Sequence, residues 1–561
     1  MIPQSIVNAV EILYRQGIRK AVISPGSRSA PITIAFARHP GIDCLVIPDE
    51  RAAAFIALGL AQASRLPVVV ISTSGTATLN LAPALAEAYY RHIPLIAFTA
   101  DRPPEWVDQM EGQTIKQSNV FHNYTLASYT LPTYDKHPDA LWHCNRIVSE
   151  AINLSTGTTP GPVHINAPLR EPFYPHPNEH PEADVSLQVI HKTKPFKTLS
   201  DNVLQEYFQK LTSFKKVLIV AGQQYPDKAL SETLKQVSNS QYIPVIGEIT
   251  SNMSANIHNA ELIVSQNTYP HELKPDLLIT FGDAIISKKL KSFIRSNKPE
   301  KHWHMTGNDQ SPDTFKSLTD VITIHPGTFF EKYTNLTTEI QPDRKDYYKL
   351  WAGHDKSLAD RLKSFINGQP FCDWVAIKAI LEQLPEQIVL HLANSMSVRY
   401  ADLSCSFVDT NEWGVFCNRG TSGIDGCTST AVGHAIANNK PQVLITGDMA
   451  FFYDRNALWH KHLPSNLHIV IINNRGGGIF RLIDGPSEQP ELKTYFEAGQ
   501  SLTAERIAAD YGLMYSSCSD MSGLKKELGK LFGNHKVPQI LEIFTDSKTN
   551  QVVYNEFQKI N

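Results

Sequence analysis

Cysteine is scarce in this chain and follows no pattern. The seven residues (Cys44, Cys144, Cys372, Cys405, Cys417, Cys427 and Cys518) are odd in number, scattered and without a CxxC pair. That argues against a zinc site or a disulfide framework and fits a reducing cytoplasm. No apolar run approaches the roughly 20 residues of a membrane span, and the amphipathic amino terminus, Met1–Lys20, lacks the continuous apolar core of a signal peptide. No basic tract stands out and the formal charge is only −3 at pH 7, so neither nucleic acid nor an anionic membrane is expected as the principal partner. The middle of the chain has no GxGxxG, and a dinucleotide fingerprint is therefore missing there.

What is present is enough apolar residue to build large cores: 42% of 561 residues are hydrophobic and 19% charged, which suits about three domains. Short apolar runs alternate with helical segments from end to end. They predict strands at Lys20–Ser24, Asp43–Ile47, Pro67–Ser72 and Pro94–Thr99, then at Lys216–Ala221, Tyr242–Glu248, Asp276–Gly282 and Val321–His325. The last set is Gln387–Leu392, Val443–Thr446 and His468–Ile472. Strand–helix alternation of this kind means doubly wound α/β domains with mostly parallel sheets. Five prolines between Pro168 and Pro181 mark a linker, and a polar stretch, Thr337–Lys349, leads into the last third. The expected domains are residues 1–182, 183–345 and 346–561. The unit from Pro67 to Pro103 repeats the plan of the unit from Pro441 to Phe480, an architectural echo rather than a sequence repeat.

The stretch Pro441–Phe480 carries the most chemistry. One strand ends in Gly447-Asp448, a helix is expected at about Asp454–His462, and the next strand delivers Asn473-Asn474-Arg475-Gly476-Gly477-Gly478. In a strand–helix–strand unit both strands point the same way, so the Asp448 carboxylate and the Asn474 amide emerge together at the carboxyl edge of the sheet, where open α/β sheets bind ligands. Both offer hard oxygens, and the glycines can add an exposed carbonyl. Mg²⁺ takes few protein oxygens and fills its shell from phosphate and water. Read without that chemistry, Gly-Asp simply ends a strand and the glycine run makes a turn.

Gly447-Asp448 followed some two dozen residues on by Asn473-Asn474 resembles the metal and diphosphate motif of thiamin diphosphate (ThDP) enzymes. Met449 stands where many members have a second glycine. The resemblance implies that Asp448, Asn474 and the carbonyl of Gly476 hold Mg²⁺ or Mn²⁺. It also implies that Glu50, in Asp49-Glu50-Arg51 at a helix mouth, is the acid beside the coenzyme's pyrimidine nitrogen; by position alone a Glu there is a helix cap. Ser74, Gly75, Ser395, Ile424, Met449, Gly477, Ile479 and Phe480 would complete the coenzyme site. In this family the pyrimidine and diphosphate halves of one centre come from two chains, so a homodimer or a pair of dimers is implied.

Many ThDP decarboxylases carry adjacent histidines near the reacting centre, and this chain has none. It offers Arg28, Arg102, Lys288, Arg399 and Arg419 instead, each on a loop predicted to face the ligand. Any one of them could be a surface salt bridge, but together they suit substrates rich in carboxylates. The motifs Ser24-Pro25-Gly26-Ser27-Arg28-Ser29, Asp49-Glu50-Arg51, Thr73-Ser74-Gly75-Thr76, Asp101-Arg102-Pro103-Pro104-Glu105 and Asn418 to Gly426 closely resemble one branch of the family, the transferases of menaquinone biosynthesis. That resemblance implies decarboxylation of 2-oxoglutarate and conjugate addition of the resulting acyl anion to isochorismate. It assigns Ser395 and Arg399 to the 2-oxoglutarate side, Arg419 to substrate, Ser27, Arg28, Arg102 and Lys288 to isochorismate, and Gln113 to the reacting centre. The competing readings are another ThDP-dependent 2-oxoacid decarboxylase or acetolactate-synthase-like carboligase, and a non-catalytic α/β nucleotide-binding protein.

Overall fold

The computed structural model describes residues 2–560 apart from 135, 172, 178, 186, 195–197, 267–269, 309, 337–341, 484 and 534. Its strands gather into three sheets, in each of which every pairing is parallel. The first holds β1 (Lys20–Ile23), β2 (Asp43–Val46), β3 (Val68–Ser72), β4 (Leu95–Asp101), β5 (Ser128–Thr130) and β6 (Val163–Pro168) in the order β2-β1-β3-β4-β6-β5. The second holds β7 (Val217–Ala221), β8 (Val245–Gly247), β9 (Leu277–Phe281), β10 (Lys301–Met305) and β11 (Asp320–Ile322) in the order β11-β10-β9-β7-β8. The third holds β12 (Val389–Leu392), β13 (Gly414–Phe416), β14 (Gln442–Gly447), β15 (Leu467–Asn473), β16 (Met514–Cys518) and β17 (Gln539–Phe544) in the order β13-β12-β14-β15-β17-β16.

The three sheets share one winding. In each, the first strand sends the chain to one side and the third strand returns to its other side, which opens a crevice at the carboxyl ends of those two strands. In the first and third sheets the full six-strand order is the same, so the echo in the sequence is an identity of topology.

Every strand expected from the sequence is present to within three residues. Other local expectations are corrected. The helix expected at Asp454–His462 instead begins at Asp448 and runs to Tyr453, with a 3-10 turn at Arg455–Leu458. Gly447 ends the strand, and Asp454 stops the helix because its buried carboxylate is taken by the backbone N–H and hydroxyl of Ser429, both at 2.7 Å. The helix expected to run unbroken to about Arg91 is two, Thr76–Leu79 and Ala82–Tyr90. Pro83 lacks an N–H and its ring would clash with the carbonyl of Leu79.

The linker expected at Pro168–Pro181 begins where β6 ends, and its residues 172 and 178 lie outside the described ones. Residues 337–341 of the polar stretch likewise lie outside them, but from Pro342 a helix continues to Asn367 across the expected limit at 345. Its Tyr347, Trp351, Leu358, Leu362 and Ile366 recur every four or seven residues and enter a core shared with the second and third sheets.

First and third domains meet through the helices Glu50–Ser64 and Cys427–Ala437. Small residues let them touch along their backbones: a Cβ on Gly59 would lie 2.1 Å from the Thr430 carbonyl oxygen, and one on Gly433 would lie 2.0 Å from that of Ile56. The buried alanines Ala52, Ala53, Ala54 and Ala57 pack into the same core as Ala431, Val432 and Phe451.

Candidate active site

The crevice of the third sheet opens between β12 and β14 and holds a cavity of about 400 Å³. Four strand ends supply it. Beyond β12 come Asn394, Ser395 and the helix Met396–Ser404 carrying Arg399; beyond β13, Arg419; beyond β14, Asp448; beyond β15, Asn474 and the glycine run. Ser395 sits at φ 72°, a left-handed conformation that costs a serine of order 1–3 kcal/mol. Of the residues expected at the coenzyme or substrate, Ser395, Arg399, Arg419, Ile424, Asp448, Met449, Asn474, Gly476, Gly477, Ile479 and Phe480 all line this one cavity.

Asp448 is 2% exposed, and burial lifts its carboxyl to about 6 against the opposing pull of Gln500 and the backbone N–H groups of Met449 and Gly476. The Gln500 amide donates to Oδ2 at 2.6 Å. Asn474 donates its Nδ2 to the buried carboxylate of Asp373 at 2.8 Å. That bond fixes which way the amide faces, and it leaves Oδ1 buried with no hydrogen-bond partner. A buried acceptor left unpaired costs about 1–3 kcal/mol, so this oxygen is placed for something that binds. Gly476 lies close beneath: a Cβ there would stand 2.7 Å from the Glu497 carbonyl oxygen.

Among the described residues no group of three His, Cys, Asp or Glu side chains is gathered to hold an ion. The donor set is one carboxylate, one unpaired amide oxygen and one glycine carbonyl. Those residues fit a small divalent cation that completes its shell from a diphosphate and water. Ile424, Met449, Ile479 and Phe480 give an apolar wall beside them, with the Phe480 and Phe496 rings 5.7 Å apart.

Arg399 and Arg419 supply the positive charge. Burial and the nearby Arg419 both press against the charged form of Arg399, and among the described residues no carboxylate lies within ion-pair distance of either guanidinium. Arg399 donates to the Ser395 carbonyl, Arg419 donates to Asn394 Oδ1 at 3.3 Å, and the Arg419 Nε is buried without a partner. Two neighbouring cations with spare donors can take a carboxylate.

The remaining candidates stand on the first domain, except Lys288 on the second, and none lines that cavity. At the corresponding crevice, between β1 and β3, Arg28 donates to the Leu169 carbonyl at 3.1 Å and lies over the Phe173 ring at 4.4 Å. Arg102 is 3.1 Å from Glu111 and donates to the Gly112 carbonyl. Ser74 donates to the Gln113 carbonyl at 2.9 Å, and Gly75, at φ 82°, leaves room for the Gln113 side chain, whose Oε1 would stand 2.5 Å from a Cβ. Ser27 is exposed on the same edge.

Glu50 opens its helix, but the cap is Asp49, which accepts from the Ala52 N–H at 2.9 Å. Glu50 is left half-buried, with burial raising its carboxyl above the ordinary range. Its neighbours hold the far end of the Asp448 helix: Asp49 accepts from Asn456 at 2.7 Å, and Arg51 donates to the Tyr453 carbonyl at 2.8 Å. Lys288 is exposed at the start of the helix Lys288–Ser296 of the second domain and does not reach the cavity.

Sequence reasoning missed Asp373, Gln500 and Gln117. The last is 1% exposed and accepts from the Gly75 N–H at 3.1 Å while donating to the Ala100 carbonyl and to Asn166.

Residues 8–120 match the family model described as the N-terminal TPP binding domain of thiamine pyrophosphate enzymes, and residues 190–392 match the one described as the middle domain of thiamine pyrophosphate. Fold, cavity and matches together define a thiamine pyrophosphate enzyme. Similar proteins include the 2-succinyl-5-enolpyruvyl-6-hydroxy-3-cyclohexene-1-carboxylate synthases of Cytophaga hutchinsonii (42% identical, covering 99% of this chain and 98% of that one), Flavobacterium johnsoniae (38%, 98% and 97%) and Desulfotalea psychrophila (38%, 97% and 98%). The chain belongs to that synthase family.

Proposed function

We propose that this protein decarboxylates 2-oxoglutarate and adds the resulting acyl anion to isochorismate, giving 2-succinyl-5-enolpyruvyl-6-hydroxy-3-cyclohexene-1-carboxylate for menaquinone biosynthesis in the cytoplasm. The observation that carries the proposal is the Asn474 Oδ1 beside the buried Asp448, unpartnered among the described residues, in a cavity that also holds two guanidinium groups to which no described carboxylate is paired. Asp448, Asn474 and the Gly476 carbonyl would hold Mg²⁺ or Mn²⁺ and, through it, the diphosphate of ThDP. When bound, the coenzyme supplies an acidic thiazolium carbon that adds to a keto group and takes up the electrons released with CO₂.

The chain's own groups do the rest. Glu50, with its raised carboxyl, holds a proton for the pyrimidine nitrogen. Ser395 and Arg399 grip the 2-oxoglutarate side, and Arg419 reaches a substrate carboxylate. Arg28 and Arg102, with Ser27 and Lys288, clamp isochorismate, exchanging their present carbonyl and Glu111 contacts for its carboxylates. Gln113, folded over Gly75, faces the reacting centre. The apolar wall excludes water from it.

Glu50's neighbours Arg51 and Asp49 bind the Tyr453 carbonyl and Asn456, at and just beyond the end of the helix opposite Asp448. The complete centre is made by two chains of a homodimer, or of a pair of dimers, a reading supported by the absence of Glu50 from the lining of its own chain's third-domain cavity. The test is substrate dependence: 2-oxoglutarate should be consumed only with isochorismate, ThDP and Mg²⁺ all present. Turnover of pyruvate in place of 2-oxoglutarate would point to a different ThDP carboligase.

A further inference from the structure

Arg419 sits on a loop, Asn418–Gly423, that belongs to no helix or strand. Two clamps hold it. From within the third domain, Asn394 donates its Nδ2 to the carbonyls of Asn418 at 2.6 Å and Gly423 at 2.7 Å. From outside, Glu87 on the first-domain helix Ala82–Tyr90 reaches across the domain boundary and is 2% exposed. Its Oε1 accepts from the Gly420 N–H at 2.9 Å, and its Oε2 accepts from the Thr421 N–H at 2.7 Å and the Thr421 hydroxyl at 2.8 Å.

The fit leaves no slack. A Cβ on Gly420 would stand 2.9 Å from Arg91 Cγ and 3.0 Å from both the carbonyl and the carboxylate of Glu87. Arg91, one turn further on, is ion-paired with Asp283 of the second domain, so the helix that carries Glu87 is itself fastened on its other side. A buried carboxylate meeting two consecutive backbone N–H groups makes charge-assisted bonds, roughly twice the strength of neutral ones, and both of those amides immediately follow Arg419.

We propose that Glu87 is a positioning residue for the reaction. It fixes the Gly420-Thr421 backbone and thereby aims the Arg419 guanidinium into the cavity, so a first-domain side chain sets the carboxylate affinity of the third-domain half-site. The proposal rests on the reading of Arg419 as a substrate cation. It explains why a buried acid lies at this boundary with no lysine or arginine among the described residues as its hydrogen-bond partner: the bonds it makes go to the loop.

The test compares Glu87→Gln, Arg419→Ala and the double variant in the holoenzyme, reading KM for each carboxylate substrate, kcat, ThDP affinity and melting temperature. Glu87→Gln keeps the shape but turns an amide NH₂ toward a backbone N–H. It should raise the KM of the substrate that Arg419 holds about tenfold and leave ThDP affinity unchanged. In the Arg419→Ala background it should add nothing further to that KM, because its target is gone. Thr421→Val, which removes only the hydroxyl bond, should move the same KM in the same direction by about threefold, and it carries the test if Glu87→Gln fails to fold.

A KM effect of Glu87→Gln that persists in full in the double variant, or an equal loss of ThDP affinity, would mean that Glu87 merely supports the fold and would overturn the proposal. An unchanged KM in Glu87→Gln while Arg419→Ala raises it would overturn the proposal alone. An unchanged KM in Arg419→Ala would overturn the reading of Arg419 and the proposal with it.

Discussion

The first and third domains wind their six strands in the same order, yet their crevices are built to opposite ends. In the third domain polar groups are buried and left wanting: Asn474 Oδ1 and Arg419 Nε have no partner, and Asp448 is held above its ordinary range. In the first domain most of the same edge is satisfied from within, although the buried Arg102 Nε has no partner among the described residues. Arg28 rests on Leu169 and Phe173, Arg102 on Glu111, and Ser74 and Gly75 on Gln113 and Gln117. Topology therefore fixes where a crevice lies, while the side chains at the strand ends decide whether it stores unpaired donors for an ion and diphosphate or presents an acid and cations to another surface. Glu50 in the first domain likewise has a raised carboxyl with no side-chain partner among the described residues.

Substitutions on the two sides should fail differently. Glu50→Gln is expected to lower kcat by about 10²- to 10⁴-fold with ThDP and Mg²⁺ affinity intact. Asp448→Ala should lose metal-dependent ThDP binding itself, by more than about 10²-fold. Calorimetric titration with steady-state rates separates the two, and equal loss of affinity in both would erase the contrast between the domains. Arg399→Ala should cost 2-oxoglutarate use more than about 1.4 kcal/mol, a tenfold effect in kcat/KM; unchanged kinetics would remove Arg399 from the site. Asp373→Asn, which frees the Asn474 amide to turn, should weaken metal affinity about tenfold with little change in kcat at saturating Mg²⁺.

The smallest effect is that of pH. A carboxyl raised in the folded protein costs stability once it ionises, so the ligand-free protein should lose stability as pH rises from the ordinary aspartate range through about 6. A cation on Asp448 offsets that cost. The gain in melting temperature from Mg²⁺ and ThDP should therefore grow as pH rises through about 6 and level off above it, and Asp448→Asn should flatten the profile. A gain that is constant from about pH 5 to about pH 8 would take Asp448 out of the metal site.

The sequence made the strand ends legible because a buried parallel strand is a short apolar run and its carboxyl end is where the run stops. Gly447-Asp448 and Asn473-Asn474 could be read as one site before any coordinates, since the topology of a strand–helix–strand unit brings them together. Lys301–Met305 could not be read as a strand: its alternate side chains are His302 and His304, which share the hydroxyl of Thr280, His302 also meeting that of Ser317. Gly414–Phe416 is three residues long and carries no pattern. Asp373, Gln500 and Glu87 were out of reach for another reason. Each acts from a distant part of the chain, Asp373 on Asn474, Gln500 on Asp448 and Glu87 on Gly420, so no local spacing announces them. Lys288 is a cation legible on its loop that the fold leaves exposed on the second domain, outside the third-domain cavity as Arg28 and Arg102 are.

The proposed centre is made of two unlike half-sites that meet between chains. Glu50→Gln and Asp448→Ala proteins, each inactive alone, should regain activity when mixed under conditions of subunit exchange, up to about a quarter of the unsubstituted rate, because half of the dimers then carry one intact centre of two. A mixture that stays as inactive as its components, with exchange demonstrated by mass, would contradict it.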